Sequence, residues 1–301
     1  MTDSATKSCG FIAVLGAPNV GKSTLVNQMV GSKVSIVSPK VQTTRARVMG
    51  IAIRGDAQLV FIDTPGIFEP RRRLDRAMVA AAWGGASDGD VRLFLVDAEK
   101  GVDSNSRKII ERLKNQNIRC HLVLNKIDKV KKPELLELAS RLKESGIFDE
   151  IFMISALSGD GVDDLGNFLA KHAPEGPWHF PEDQMSDMTE RLLAAEITRE
   201  KLYLQLRQEL PYAATVETET WTEKPDGSVK IEQVIFVERD SQKAIILGKG
   251  GAQIKKIGEL SRTELEEILA RRVHLFLFVK VREKWGDDPE RYRDWGLDFG
   301  A

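Results

Sequence analysis

The chain has 301 residues, 42% of them apolar and 30% charged, with a formal charge of -1 at neutral pH; at about 150 residues per domain this suits two domains and excludes a generally basic polyanion binder. Two widely separated cysteines, Cys9 and Cys120, exclude a disulfide framework and favour a reducing compartment. Met1 to Lys7 has no charged region leading into an apolar one, and no apolar run approaches the ~18 residues of a membrane span, so neither a secretion signal nor a span is expected.

The first strand-like run is Phe11 to Leu15, and a helical stretch follows at Thr24 to Val30. Between them Gly16-Ala17-Pro18-Asn19-Val20-Gly21-Lys22-Ser23 fits the spacing G-x-x-x-x-G-K-[ST]. Such a loop cradles phosphate: its glycines let backbone N–H groups point inward and the next helix adds its positive end. The lysine can reach the β- and γ-phosphates, and the serine can hold Mg²⁺. A chance glycine turn is the competing reading, and eight positions with the correct flanks disfavour it. Val37 to Arg45, polar and threonine-rich, reads as a loop.

Strand-like runs follow at Val48 to Arg54, Gln58 to Ile62, Val91 to Val96, His121 to Leu124 and Ile151 to Ile154. Helical patterns occupy Leu74 to Trp83, Ser104 to Lys114, Pro133 to Glu144 and Val162 to Lys171. This alternation over residues 10–172 predicts an α/β domain, a mostly parallel sheet flanked by helices, with ligands at the carboxyl ends of its strands.

The motifs fall at those ends. Asp63-Thr64-Pro65-Gly66 follows one strand; the aspartate can hold Mg²⁺ through water and the Gly66 N–H can meet a terminal phosphate, though these residues also form turns. Asn125-Lys126-Ile127-Asp128 follows another. The carboxylate of Asp128 can accept both the N1–H and the exocyclic amine of guanine, whereas adenine would leave it unpaired at a cost of about 1–3 kcal/mol or more. Guanine is therefore the expected base. Ser155-Ala156-Leu157 could offer the Ala156 N–H to the guanine O6.

Together these elements resemble the GTPase branch of the phosphate-loop NTPases. The resemblance implies GTP and GDP with Mg²⁺, and assigns Asn19, Val20, Gly21, Lys22, Ser23 and Thr24, Asp63 and Gly66, Asn125, Lys126 and Asp128, and Ser155, Ala156 and Leu157 to the nucleotide. Ser23, Asp63 and Thr44 would hold the metal, Thr44, in preference to Thr43, being the switch threonine. Lys22, Thr44, Gly66 and Asn19 would be catalytic. Where Ras-like relatives carry a glutamine after the Asp-x-x-Gly element this chain has Ile67, which cannot orient or deprotonate water, so hydrolysis should be slow. A potassium ion held partly by Asn19, as in related bacterial GTPases, could neutralise developing charge; a plain turn residue is an equal reading of Asn19.

Residues 173–188 carry three prolines and read as an extended linker. Beyond it the pattern changes to a helix at Thr189 to Glu209, strands at Thr215 to Thr222 and Val229 to Val237, helices at Ser241 to Leu247 and Ala252 to Arg272, and a strand at His274 to Val281. The order is α-β-β-α-α-β. From Ser186 onward there are 19 lysine and arginine residues against 22 aspartate and glutamate, yet Gln242 to Gly258 has four lysines and no acid. That stretch holds Gly248-Lys249-Gly250-Gly251, a G-x-x-G loop of the kind that clamps about four nucleotides of single-stranded RNA. This part resembles a KH domain of the bacterial type and assigns Gly248, Lys249, Gly250, Gly251, Lys255 and Lys256 to RNA; a glycine-rich helix connector is the bland alternative.

A GTPase domain with these motifs, then a KH domain, resembles the bacterial Era-type GTPases over nearly the whole chain. The division would be a GTP-binding domain at 8–175, a linker at 176–188, the KH domain at 189–285 and a tail at 286–301. The resemblance implies a cytoplasmic assembly factor, expected as a monomer, that binds the 3′ region of 16S ribosomal RNA and the small ribosomal subunit and associates peripherally with the inner membrane. A GTPase of tRNA modification or of another ribosomal particle, and a constitutive RNA binder whose nucleotide site is structural, are the alternatives. Arg71-Arg72-Arg73 reads as a solvated face, and Trp285, Tyr292 and Trp295 as packing residues.

Overall fold

The computed structural model describes residues 7–40, 42–206 and 210–301, and these divide into two compact units. The first comprises the described residues up to Ser35 together with Thr44–Asp187 and Tyr292–Ala301; the second comprises those of Ile36–Thr43 and of Met188–Arg291.

In the first unit the order is β1 (Ser8–Gly16), α1 (Lys22–Val30), β2 (Val48–Arg54), β3 (Ala57–Asp63), α2 (Arg73–Asp88), β4 (Val91–Asp97), α3 (Ser104–Asn115), β5 (Cys120–Asn125), α4 (Lys132–Lys143), β6 (Phe148–Ile154) and α5 (Val162–His172). Six strands align as β2-β3-β1-β4-β5-β6; β2 runs antiparallel to β3, and the other pairings are parallel. All seven residues of β3 are buried, as expected of a strand covered on both faces. The helices are amphipathic: α3 buries Ile109, Ile110 and Leu113, and its cap Asp103 accepts the Ser106 N–H at 2.7 Å. This topology brings the carboxyl ends of β1, β3, β5 and β6 to one edge, with the strand order reversing about β1.

The proline-rich segment after α5 lies against this unit. The Gln58 side chain accepts from the N–H groups of His179 and Phe180 and donates to the Phe180 carbonyl, and the Ile51 N–H donates to the Met185 carbonyl. At the other end of the chain, Tyr292 and Trp295 are buried. Phe299 packs edge-to-face on Tyr292, and the Arg73 guanidinium stands 4.4 Å from the Phe299 ring centre. These aromatics are packing residues.

The second unit contains α6 (Glu190–Gln205), β7 (Ala214–Glu223), β8 (Val229–Val237), α7 (Asp240–Leu247), α8 (Ala252–Leu269) and β9 (Val273–Val281). The expected α-β-β-α-α-β order is present. β7 and β8 form an antiparallel hairpin whose turn uses Gly227 at φ +79°, and the α7–α8 crossover returns β9 parallel to β8. Two helices are shorter than their periodicity suggests. α6 stops at Gln205, because Leu206 is extended, and residues 207–209 lie outside the described ones, as does Val41. α8 stops at Leu269 because Ala270 takes the left-handed conformation, φ +49°, which frees Arg271 and Arg272 to lead into β9.

Candidate functional site

The loop between β1 and α1 is shaped by positive-φ residues. Gly21, at φ +99°, caps α1, and a Cβ there would stand 2.2 Å from the Asn125 amide nitrogen. Gly66 is close-packed as well: a Cβ on it would meet the Pro18 backbone at 2.9 Å, and the next N–H, of Ile67, donates to the Gly16 carbonyl. Lys22 is buried and donates to the carbonyls of Gly16 (3.3 Å) and Ala17 (3.0 Å). Burial pushes its ammonium down to about 8, against the opposing pull of Asp63. Ile67 is buried in the core of this unit, so it has no side-chain role in the loop.

Asp63, at the end of β3, is fully buried and collects hydroxyls. Its Oδ2 accepts from Ser35 at 2.6 Å and from Ser23 at 2.7 Å, with Thr44 Oγ1 at 3.4 Å; the Ser23 and Thr44 hydroxyls lie 2.9 Å apart. The other carboxylate oxygen, Oδ1, is buried with no hydrogen-bond partner among the described residues. Burial raises the carboxyl above its ordinary value; the Ser35, Ser23 and Thr44 hydrogen bonds and the Lys22 charge act against that. One carboxylate with an unused oxygen, beside two hydroxyls and a phosphate loop, fits Mg²⁺. That ion takes hard oxygen ligands, and it is usually held by one or two carboxylates plus phosphate. No cluster of three metal-ligating His, Cys, Asp or Glu occurs among the described residues.

The base side is assembled by Asn125. Its amide nitrogen donates to the Val20 carbonyl (2.8 Å) and its oxygen accepts the Ala156 N–H (2.9 Å), tying the phosphate loop, the end of β5 and the loop after β6 together. The Ala156 N–H assigned to guanine thus has Asn125 as its partner here. Lys126, at φ +67°, spans Asp97 Oδ2 (2.6 Å) and the Asn19 carbonyl (2.8 Å). Asn19 is itself left-handed, φ +64°, which accounts for a short polar residue at that turn. Asp128 and Leu157 are exposed, and Ser155 is buried, its N–H on the Asp160 carbonyl. Asp97, Ser35 and Asn27 were not singled out from sequence. For Asp97 a signal existed, its place at the end of β4, but Ser35 and Asn27 carried none.

The segment assigned to the switch is split. Thr44 stands in the hydroxyl cluster of the first unit, whereas the described residues of Ile36–Thr43 pack within the second. Ile36 is buried among Ala194, Ile197, Val229, Ile231, Leu265 and Val273. The Val37 N–H donates to Glu200 (2.7 Å), Lys40 donates to the Tyr203 and Leu206 carbonyls, and Arg199 donates to the Thr43 carbonyl (2.5 Å). The Thr43 hydroxyl pairs with Ser38 at 2.7 Å and takes no part in the cluster.

In the second unit α7 ends at Gly248 (φ +71°), and Gly250 (φ +60°) and Gly251 (φ +78°) turn the chain into α8. Gly248 is needed for contact, since a Cβ would lie 2.7 Å from that of Gln253; a Cβ on Gly250 or Gly251 would meet nothing within 4 Å, which leaves the loop open. Lys249, Lys255 and Lys256 are exposed there. A groove of about 690 Å³ runs between α8 and β9, lined by Ile254, Lys255, Gly258, Arg262, His274 and Phe276. An open glycine turn with Gly250 exposed, lysines beside it and a groove lined by apolar and basic side chains, with Glu259 among them, form a surface suited to a single strand of RNA.

Comparison with known proteins agrees with both halves. A family model described as "50S ribosome-binding GTPase" matches residues 11–126, and a KH-domain model matches residues 209–286. The chain is 60% identical to GTPase Era of Brucella suis over 298 residues, which is 99% of this chain and 96% of that protein. It is 62% identical to GTPase Era of Rhizobium meliloti over 96% of this chain and 93% of that protein. Among solved structures, Era in complex with MgGDPNP and nucleotides 1506–1542 of 16S ribosomal RNA superposes with a TM-score of 0.91 at 41% identity, covering 96% of this chain and 99% of that one. A variant of Aquifex aeolicus Era bound to GDP and AlF4⁻ gives a TM-score of 0.90 at the same identity and coverage.

Proposed function

We propose, from the premise that the chain belongs to the Era family of GTPases, that it binds GTP with Mg²⁺ in its first unit and hydrolyses it. Through the KH domain in its second unit it binds the 3′ region of 16S ribosomal RNA, and it acts in assembly and maturation of the small ribosomal subunit. The observation that carries the nucleotide reading is the gathering of Ser23 and Thr44 on Asp63 beside the phosphate loop. Mg²⁺, when bound there by Ser23, Thr44 and Asp63, neutralises phosphate charge. Lys22, which now donates to the Gly16 and Ala17 carbonyls, would reach the β- and γ-phosphates, the Gly66 N–H would serve the terminal phosphate, and Asp128 would read the guanine edge, with Lys126 along the base. Ile67 is buried and apolar, which supports slow intrinsic turnover, and Asn19 is the residue beside which a potassium ion would act.

Coupling between nucleotide and RNA runs along the chain itself. Ser35 and Thr44 both bond Asp63, and the described residues between them are fastened in the second unit, so a nucleotide that reorders the cluster pulls on both ends of that segment. The protein works in the cytoplasm, as a single copy. Its association with the inner membrane is, in this reading, peripheral; among the described residues no helix is long and apolar enough to cross a bilayer.

The test is binding of an RNA matching the 3′ end of 16S ribosomal RNA, at fixed salt, with a GTP analogue, with GDP and without nucleotide, for wild type and Gly250→Asp. Tight binding that needs the analogue and is lost in the variant is expected. Equal binding in all three states would replace the switch with a constitutive RNA binder.

A further inference from the structure

The third hydroxyl on Asp63 is not accounted for by the nucleotide motifs. Ser35 lies in the loop after α1, 2% exposed, and its hydroxyl donates to Asp63 Oδ2 at 2.6 Å, the shortest of the three hydroxyl contacts. It is also held firmly. The Asn27 side chain, on α1, accepts the Val34 N–H (3.0 Å) and the Ser35 N–H (2.9 Å) and donates to the Ser35 carbonyl (2.7 Å). One side chain thus fixes both backbone polar groups of Ser35, which aims the hydroxyl at the carboxylate.

The hydrogens available decide what each hydroxyl can do. Ser23 and Thr44 have one proton each, and their oxygens lie 2.9 Å apart. Both sit at positions whose oxygens the metal would take. Among the described residues the Ser35 hydroxyl has Oδ2 as its one partner, so its proton is committed there. With Oδ2 held by Ser35, Oδ1, buried and otherwise unpartnered among the described residues, is the acceptor left for a hydrated cation.

We propose that Ser35, clamped by Asn27, is a positioning residue for the Mg²⁺ site: it fixes the rotation of the Asp63 carboxylate and keeps Oδ1 directed to the metal's water. This rests on the reading of the first unit as a Mg²⁺-nucleotide site. Ser35 acts through Asp63 and touches neither nucleotide nor metal. Partners that orient metal-binding carboxylates typically cost 10- to 100-fold in metal affinity when removed.

The test follows release of fluorescently labelled GDP from the full-length protein as free Mg²⁺ is varied, with thermal unfolding as a check on folding. In Ser35→Ala the Mg²⁺ concentration that half-maximally slows release should rise about tenfold or more, while the release rate in excess chelator stays within about twofold of wild type. Ser35→Cys keeps the volume and offers only a weak donor; it should shift the midpoint in the same direction and guards against misfolding of the alanine variant. A folded variant whose Mg²⁺ midpoint matches wild type would overturn the assignment, as would equal acceleration with and without Mg²⁺, the mark of a merely structural hydroxyl. A wild type whose GDP release ignores Mg²⁺ would overturn the reading of the site itself, and this assignment with it.

Discussion

Replacing Ile36 by alanine tests whether the segment next to the metal cluster is a working part of the second unit's core. Ile36 is 2% exposed and sits among side chains of α6, β8, α8 and β9. The substitution removes three carbons at roughly 0.8 kcal/mol each, about 2.4 kcal/mol of transfer free energy. An unrelaxed cavity brings the expected cost to about 2–5 kcal/mol. At about 1.4 kcal/mol per decade, the lower figure, about 2 kcal/mol, is roughly a 25-fold rise in the open fraction of that unit. Hydrogen exchange read by mass spectrometry should show it as faster exchange in α6 and β8, with Ile36→Val costing about 0.5–1.5 kcal/mol. GDP affinity should change less than threefold, since Ile36 touches none of the residues assigned to nucleotide. Exchange in α6 and β8 within about threefold of wild type would refute the reasoning, because it would mean that Ile36 contributes no packing energy there.

Two further outcomes follow from particular residues. Asp128→Asn removes the acceptor for the guanine N1–H and amine and leaves a donor in its place. GTP affinity should fall by roughly 5- to 150-fold, from about 1–3 kcal/mol, and xanthine nucleotides should compete better than before; undiminished guanine preference in a competition assay would remove Asp128 from base recognition. The second concerns His121, whose ring packs against Phe152 and Phe168. Burial pushes its imidazole below the ordinary value, outweighing the opposing pull of Asp149 and Glu150, with His172 adding to the lowering. The unfolded chain then takes up this proton at a higher pH than the folded one, so the contribution to stability is complete above about pH 6.5 and is lost as the pH falls below it. Urea midpoints of wild type and His121→Leu between pH 5 and 7 should converge or cross on acidification; a difference independent of pH would show that His121 does not titrate differently in the two states.

What the sequence determined by itself is what short-range spacing and periodicity can encode. The phosphate loop, the motifs after β3 and β5, and the α-β-β-α-α-β order with its G-x-x-G loop are all local patterns, because a tight turn or a strand end depends on residues only a few positions apart. Helix ends were less legible: Leu206 and Ala270 stop their helices by backbone conformations that apolar periodicity does not report. Only the tertiary structure decided the rest. Ser35 meets Asp63 across 28 positions, Lys126 meets Asp97 across 29, and Ile36 enters a core built from residues beyond 190. Nothing in the pattern around Ser35 or Ile36 distinguishes them from ordinary loop residues. Their roles arise where separate stretches of chain converge, and there burial turns one hydroxyl or one methyl group into a specific constraint.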